Sequence, residues 1–463
     1  MKRPPGSNSS CLDGRGAEMW DPMHTRYRPT LRLTEFNLLL PPALLAIVGM
    51  LMIFLVPTGQ VAWAWSDIWV SLGFAGAVLG ISVTFGIRGF RGDQAILPLT
   101  ATLAIIGLLM IQRLHPDLTA LNAAYSSLAQ RQLLFLMLGL AVLWLIVMLA
   151  GPFGVMNWLK RYKYTWLLIS LALQAATFAI GTGPPGSGAK LWIVVGPIQV
   201  QPSEIVKITL VIFLAGYLDD KRELLGSSWR IGRVSLPPIP YLIPMGLMWA
   251  ASLLTLVVLN DLGAALLFFA VFLTMLYLAS GKPVYVVVGL VSFGLACFGA
   301  WRSFSRVEVR VQNWLNPWQD PFVGGYQPIQ SDFAFSSGGI IGTGFAQGNP
   351  WYIPAVETDY IFSAIGEELG LLGTLAVLAM FFLLTLRGFT VAMRAQDGFV
   401  QLLAAGLTSI LAFQTIIIVG GVVRIIPLTG ITLPFISYGG SSLVSNFALI
   451  GLLLHISSLP RRV

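Results

Sequence analysis

Apolar residues fall along this chain in long blocks, each closed off by a shorter polar stretch. The blocks run over 36–56, 67–87, 94–112, 131–150, 165–181, 203–218, 238–259, 261–280, 283–300, 360–386, 399–423 and 440–458. Each is close to the ~20 residues that a helix needs to cross the ~30 Å hydrocarbon layer of a bilayer. The pattern predicts an all-α polytopic membrane protein with about twelve transmembrane helices. Residues 1–35 are rich in Pro, Ser, Gly and Arg and read as a disordered basic tail.

The polar stretches between blocks are unequal. With the N-terminus inside, the segments on that side hold 20 of the 28 Lys and Arg residues, among them Arg26, Arg88, Lys160, Lys221 and Arg387. Cytoplasmic links are enriched in Lys and Arg, so this orientation is favoured and both termini are cytoplasmic. On the other side lie 182–202, the tight link Asn260-Asp261, a large extracellular loop 301–359, and 424–439. Such lopsided elaboration suggests that the chemistry faces outward.

Composition agrees. Hydrophobic residues make up 56% and charged residues 10%, far from the ~25% charged content of soluble domains. The net charge of +8 therefore belongs to membrane orientation, and no nucleic acid partner is expected. Cys11 and Cys297, and His24, His115 and His455, are scattered, which argues against a disulfide or a metal cluster of imidazoles.

One stretch stands apart: Trp351 to Gly373, WYIPAVETDYIFSAIGEELGLLG. Glu357, Asp359, Glu367 and Glu368 enter or occupy an apolar segment, where ionisable groups are costly and usually functional. If the segment is helical, Asp359, Ser363 and Glu367 share one face. Glu367 then lies about 12 Å deeper than Asp359, at 1.5 Å rise per residue. The structural account of these acids is a helix cap at Asp359 and a buried pairing of Glu367 or Glu368 with Arg424 or Lys207.

Other motifs crowd the same side. Gly188-Ala189-Lys190-Leu191-Trp192 leads to Gln201-Pro202-Ser203-Glu204 with Lys207 one turn on. Pro202 and Glu204 suit a helix start, and Glu204 and Lys207 can pair at i,i+3. Asp261 heads a helix as a cap. Arg302, Arg306 and Arg310 would form a basic stripe on a short helix. Gly338-Gly339 and Gly342-Thr343-Gly344 offer backbone N–H groups to an anion, or simply flexibility. Ile426 to Ser442, with two prolines, glycines and hydroxyls, reads as a re-entrant loop lining a cavity, or as a helix hairpin.

Taken together, GAKLW…VGPIQVQPSEIVK, NDLG, GYQPIQS…SGG, TDYIFSAIGEELG and PLTGITLPFISYGGSS resemble the SEDS family (shape, elongation, division and sporulation; the RodA/FtsW/SpoVE group), in family order. The resemblance implies a ten-helix core over 94–463, with two added helices in 36–93, in a bacterial cytoplasmic membrane. It implies a glycosyltransferase that polymerises lipid II into peptidoglycan glycan strands, for cell shape or division, beside a class B penicillin-binding protein. Asp359 matches the acid considered catalytic. The substrate-binding positions implied are Lys190, Trp192, Gln201, Ser203, Glu204, Lys207 and Asp261. To these the later motifs add Gln330, Ser331, Thr358, Glu367, Glu368, Arg424, Thr429, Ser437, Gly439, Gly440, Ser441 and Ser442. The sequence departs from the family at Leu191, where Arg is frequent, at Leu259-Asn260, and at Glu357, where His is common.

A single acid is chemically sufficient. A lipid-linked diphosphate leaves without a proton if cationic groups or a divalent ion, Mg or Mn, stabilise its charge. Asp359 then serves as the one general base, taking the proton from the acceptor 4-hydroxyl with inversion at the donor's anomeric carbon. Lys190, with Arg424 or Arg310, would hold the diphosphate; no dedicated metal site is visible. The rivals are a flippase for the lipid-linked precursor and a non-catalytic scaffold for the transpeptidase.

Overall fold

The computed structural model describes residues 32–55, 65–183, 190–196, 198–222, 229–231, 234–236, 246, 261–303 and 305–460. The expected tail before residue 32 and the expected span 238–259 lie outside the described residues.

The apolar blocks become helices. The first two are α1 (Leu33–Leu55) and α2 (Trp65–Ile87), followed by α3 (Ile96–Leu121) and α4 (Leu128–Ala150). Next come a short α5 (Val155–Arg161), α6 (Lys163–Ile180) and α7 (Pro202–Asp220). After them run α8 (Leu262–Ser280), α9 (Pro283–Ser303), α10 (Ser305–Leu315) and α11 (Tyr326–Gly338). The last three are α12 (Ile361–Arg394), α13 (Gly398–Val422) and α14 (Gly440–Ser457). Ten described helices are long and apolar enough to cross a membrane. α7 runs among them and carries Glu204, Lys207, Asp219 and Asp220. Two antiparallel hairpins interrupt the helical pattern, Ile193–Val195 with Ile198–Val200 and Trp229–Ile231 with Val234–Leu236.

The sequence dictates several helix ends. Pro202 opens α7 with Glu204 in its first turn, where a missing N–H is harmless and a negative charge is favourable. Asp261 caps α8 by accepting from the Ala264 N–H at 3.1 Å, and Asp397 caps α13 through Val400 N–H, also 3.1 Å.

Bonds between helix ends sort the bundle into two ends. At one, Lys160 meets Asp219 at 2.7 Å, Lys163 pairs with Asp220, and the Asp93 N–H donates to Ser457 Oγ at 2.8 Å. At the other, Tyr125 meets Glu357, Gln201 meets Ser441 and Ser437 meets Thr358. α3, α13 and α14 form the buried centre, whereas α9 buries only Tyr285.

Two expectations change. The stretch 301–359 is not an extended loop: α9 reaches Ser303, α10 and α11 follow, and single turns form at Pro317–Gln319 and Pro350–Tyr352. α12 is also not one rod. Its 34 residues would reach about 51 Å at 1.5 Å per residue, and it breaks at Gly370, with φ 66° and ψ −167°. The polar groups that the break releases are taken up by the chain after α11. Thr343 and Gly344 N–H donate to the Glu367 and Glu368 carbonyls at 2.9 and 3.1 Å; Leu371 and Leu372 N–H donate to the Gly339 and Ile340 carbonyls at 3.0 and 3.1 Å. Broken helices survive in a bilayer only when such partners exist. A side chain at Gly370 would collide with this backbone, in a left-handed conformation that glycine tolerates best.

The segment 423–439 is non-helical and enters the bundle, as a re-entrant loop does. Leu433, Phe435 and Ile436 are buried. α3 passes so near that a Cβ on Gly107 would lie 2.5 Å from Ile436 Cα.

Candidate active site

Asp359 precedes α12 rather than lying on it. The face shared with Ser363 and Glu367 is therefore not formed, because the chain from Ala355 curls into a turn. Ala355 takes φ 57°, and its carbonyl accepts from Thr358, Asp359 and Tyr360 N–H at 3.2, 3.0 and 3.4 Å. The re-entrant segment clamps this turn. Ser437 Oγ donates to the Thr358 carbonyl at 2.6 Å while accepting from Leu433 N–H at 2.9 Å. Tyr438 N–H donates to the Glu357 carbonyl at 2.8 Å.

The Asp359 side chain is half-buried and faces Gly430, where an added Cβ would stand 3.9 Å from Oδ2. Its pKa is pushed up to about 6, chiefly by burial, with the Glu357 charge adding to the rise. A hydrogen bond from Thr358 and the positive charge of Arg310 oppose it. Such a carboxyl is ionised at neutral pH yet far more basic than a free aspartate, as a general base requires.

Asp261 stands nearby, beyond the re-entrant strand. The Thr429 carbonyl and the Ile431 side chain press on Gly263, where a Cβ would meet them at 2.9 and 2.6 Å. Residues 429–431 thus run between the head of α8 and Asp359. Asp261 accepts hydrogen bonds from Ala264 N–H and from the Ser203 and Gln201 side chains, while burial holds its pKa up. Gln201 N–H reaches Ser441 Oγ at 3.3 Å. Gln201, Ser203, Asp261, Thr358, Thr429, Ser437 and Ser441 are therefore gathered at one end with Asp359.

Other expected contacts are held away from any ligand by their own bonds. Lys207 pairs with Glu204 at 2.5 Å and donates to Asn446 Oδ1 at 2.8 Å and Gln414 Oε1 at 3.2 Å. Ser445 donates to Glu204 at 2.8 Å, Gln414 to the Thr432 carbonyl at 2.9 Å, and Ser442 shares a hydrogen bond with Thr432 at 2.7 Å. This network is buried between α7, α13 and α14 and fixes the re-entrant segment from behind. Ser331 and Ser363, both buried, bond to each other at 2.7 Å. Gln330 on α11 is half-buried, and Gly440 lies against the Phe135 ring just after Gly439, the residue that caps α14.

Glu367 and Glu368 pair with neither Arg424 nor Lys207. Glu368 Oε1 accepts from Arg113 Nε at 3.0 Å and Oε2 from Ala346 N–H at 3.0 Å; Glu367 Oε1 accepts from Asn349 N–H at 2.7 Å. Arg113 also donates to the Gly348 carbonyl at 2.9 Å, pairs with Asp117 and lies over the Trp351 ring. The two glutamates staple 346–351 to the break in α12. Arg424, at φ 61°, meets Asp332 at 2.6 Å and exchanges bonds with Trp314, donating to its carbonyl at 3.1 Å. Lys190 is exposed beside Trp192 and donates to the Phe178 carbonyl at 3.0 Å. Of the basic stripe, Arg310 projects into solvent from α10.

Sequence reasoning missed Arg113, Tyr125, Asp332, Gln414 and Asn446. Arg113 carried a usable signal, a lone charge at the end of an apolar block. Among the described residues no group of three or more His, Cys, Asp or Glu side chains is placed to hold a metal ion, so no step is derived through one. A cavity of about 250 Å³ lies at the opposite end, walled by Lys160, Asp397 and His455 among others, remote from the Asp359 turn.

Known proteins share these features. The FtsW/RodA/SpoVE family, described as a cell cycle protein, matches residues 94–461. A peptidoglycan glycosyltransferase RodA of Mycobacterium tuberculosis is 38% identical over 438 residues, 94% of this chain and 92% of that protein, which takes in the helices before residue 94. A probable peptidoglycan glycosyltransferase FtsW of Geobacter sulfurreducens is 38% identical over 66% of this chain and 82% of its own length. Among solved structures, a chain of a peptidoglycan synthase complex, reported for coordination of polymerization and crosslinking, superposes with TM-score 0.63 at 28% identity. It covers 79% of this chain and 98% of that one. The rod shape determining protein RodA of Thermus thermophilus gives 0.56 at 25%, over 79% and 97%.

Proposed function

From the premise that this chain belongs to the FtsW/RodA/SpoVE family and is a multi-pass membrane peptidoglycan glycosyltransferase, we propose that it polymerises lipid II with Asp359 as general base. The observation that carries this reading is the Asp359 carboxyl itself: clamped in a turn, half-open, and raised to about 6.

In the reaction, the acceptor 4-hydroxyl attacks the donor's anomeric carbon. The new C–O bond forms as the bond to the lipid diphosphate breaks, and the diphosphate leaves with the electron pair. The hydroxyl proton passes to Asp359, and the anomeric centre inverts. Proton transfer to a placed base is typically worth ~10²–10⁴-fold. Arg310, whose charge acts on Asp359, and exposed Lys190 supply positive charge for the diphosphate. With the N-terminus inside, as the basic links favour, the site faces the outer side of the bacterial cytoplasmic membrane. There a class B penicillin-binding protein would receive the strand.

A flippase needs polar groups that line a path through the bilayer. Here the deep charges are spent on each other: Glu204 on Lys207, and Glu368 on Arg113. Asp359→Asn preserves shape and removes basicity. The purified variant should lose lipid II polymerisation by at least ~10²-fold while melting no lower than wild type. Wild-type turnover would refute the base, and lipid translocation in vesicles by a polymerisation-dead variant would favour transport.

A further inference from the structure

Glu357 is a buried acid that the reaction as written does not use. It is 6% exposed. Oε1 accepts from the Tyr125 hydroxyl at 3.2 Å, and its backbone carbonyl is clamped by Tyr438 N–H at 2.8 Å. Oε2 is buried with no hydrogen-bond partner. A bare buried carboxylate oxygen lowers stability, and a fold that keeps one commonly does so for function.

We propose that Glu357 is a positioning residue for the transfer, hinging the reactive turn on Tyr125 and holding negative charge against Asp359. The role rests on Asp359 being the base. One residue, Thr358, separates these acids on one curled turn, and the Glu357 charge is among the forces that raise the Asp359 pKa. The groups around Asp359 are Glu357 and Thr358 on its own turn, Arg310 from α10, and Tyr360 next in the chain. Asp332 of α11 and Arg424 bear on the site through Tyr360. Glu357 itself faces Tyr125 and is raised mainly by burial, which hydrogen bonds from its own backbone N–H and from Tyr125 oppose. Of the acids near the turn, Glu357 is the one with an uncommitted buried oxygen and a direct electrostatic hold on Asp359.

The sign follows. A negative neighbour makes Asp359 a stronger base, so neutralising it weakens the base and lets Asp359 ionise at lower pH. The test is the pH–rate profile of lipid II polymerisation by the purified full-length protein, wild type against Glu357→Gln, Glu357→Asp, Tyr125→Phe and Asp359→Asn. For Glu357→Gln the acid limb should move down by about half to one pH unit. The plateau rate should fall roughly 3–10-fold, with unchanged melting. Glu357→Asp should keep the limb near the wild-type position. Tyr125→Phe, which removes a bond favouring the charged form of Glu357, should move the limb the same way by less. A Glu357→Gln profile lowered evenly with its limb unmoved, or left as wild type, would overturn the role while a dead Asp359→Asn kept the base. Wild-type turnover by Asp359→Asn would remove the base and this role together.

Discussion

At the scale of single residues, the proposed chemistry turns on burying one carboxyl without neutralising it. Asp359 has a folded pKa near 6 against an ordinary 3.8. Polymerisation should therefore fall as pH drops through about 6, and a pH–rate profile with no limb between 5 and 7 would contradict the assignment. The same shift has a stability consequence. A raised carboxyl binds its proton more tightly when folded, so its contribution to stability is greatest in acid and is lost as pH rises through the folded value. At pH 8 the ionised group is a liability that Asn does not share. Asp359→Asn should then melt about 2 °C higher than wild type at pH 8, with the gap closing toward pH 5. An inactive, stabilised variant is the mark of a group kept for function.

At the scale of elements, the broken helix organises the site. The break at Gly370 frees backbone that the 339–344 segment recaptures, and the Arg113–Glu368 pair fastens 346–351 across it. Arg113 is 3% and Glu368 0% exposed, so removing Glu368 leaves the buried guanidinium with only Asp117 and the Gly348 carbonyl. Glu368→Ala should cost about 3 kcal/mol and Glu368→Gln less, because the amide keeps the shape and its one oxygen still accepts from either Arg113 or Ala346 N–H. Activity should fall in step with melting. A raised KM with unchanged melting would instead make Glu368 a substrate contact. This element also marks where the sequence stopped being legible. Block lengths placed the described spans because bilayer thickness fixes helix length independently of partners, but α3 and α12 run on well past their blocks, to Leu121 and Arg394. The sequence singled out Asp359 by its motif but set it on a helix face with Ser363 and Glu367, which the turn from Ala355 replaces; helix starts at Pro202 and Asp261 were legible from local capping chemistry. The partners of Glu367 and Glu368 were not, since Arg113 lies 255 residues away and spacing carries no information across a bundle. The break itself was hidden because an apolar run reads the same on either side of a single glycine.

At the scale of the whole molecule, everything proposed for the site depends on which end of the bundle meets the outside. The Asp359 turn, α10, α11 and the re-entrant segment share one end; Lys160, Asp219, Arg222 and Asp397 share the other. The Lys and Arg excess at the second end is what places it in the cytoplasm, by a rule about translocation and not about packing. That inference can be tested without touching the chemistry. In a background with Cys11→Ser and Cys297→Ser, Gln319→Cys puts a thiol on an exposed residue between α10 and α11, and Arg222→Cys puts one just past α7, also exposed. A membrane-impermeant maleimide should label Gln319→Cys in intact cells and Arg222→Cys only after lysis. The reverse pattern would place the Asp359 turn beside the cytoplasm. A polymerase drawing on lipid II there would have to pass its strand through a bundle whose deep charges Glu204, Lys207, Arg113 and Glu368 are already paired, so reversal would defeat the extracellular glycosyltransferase reading as a whole.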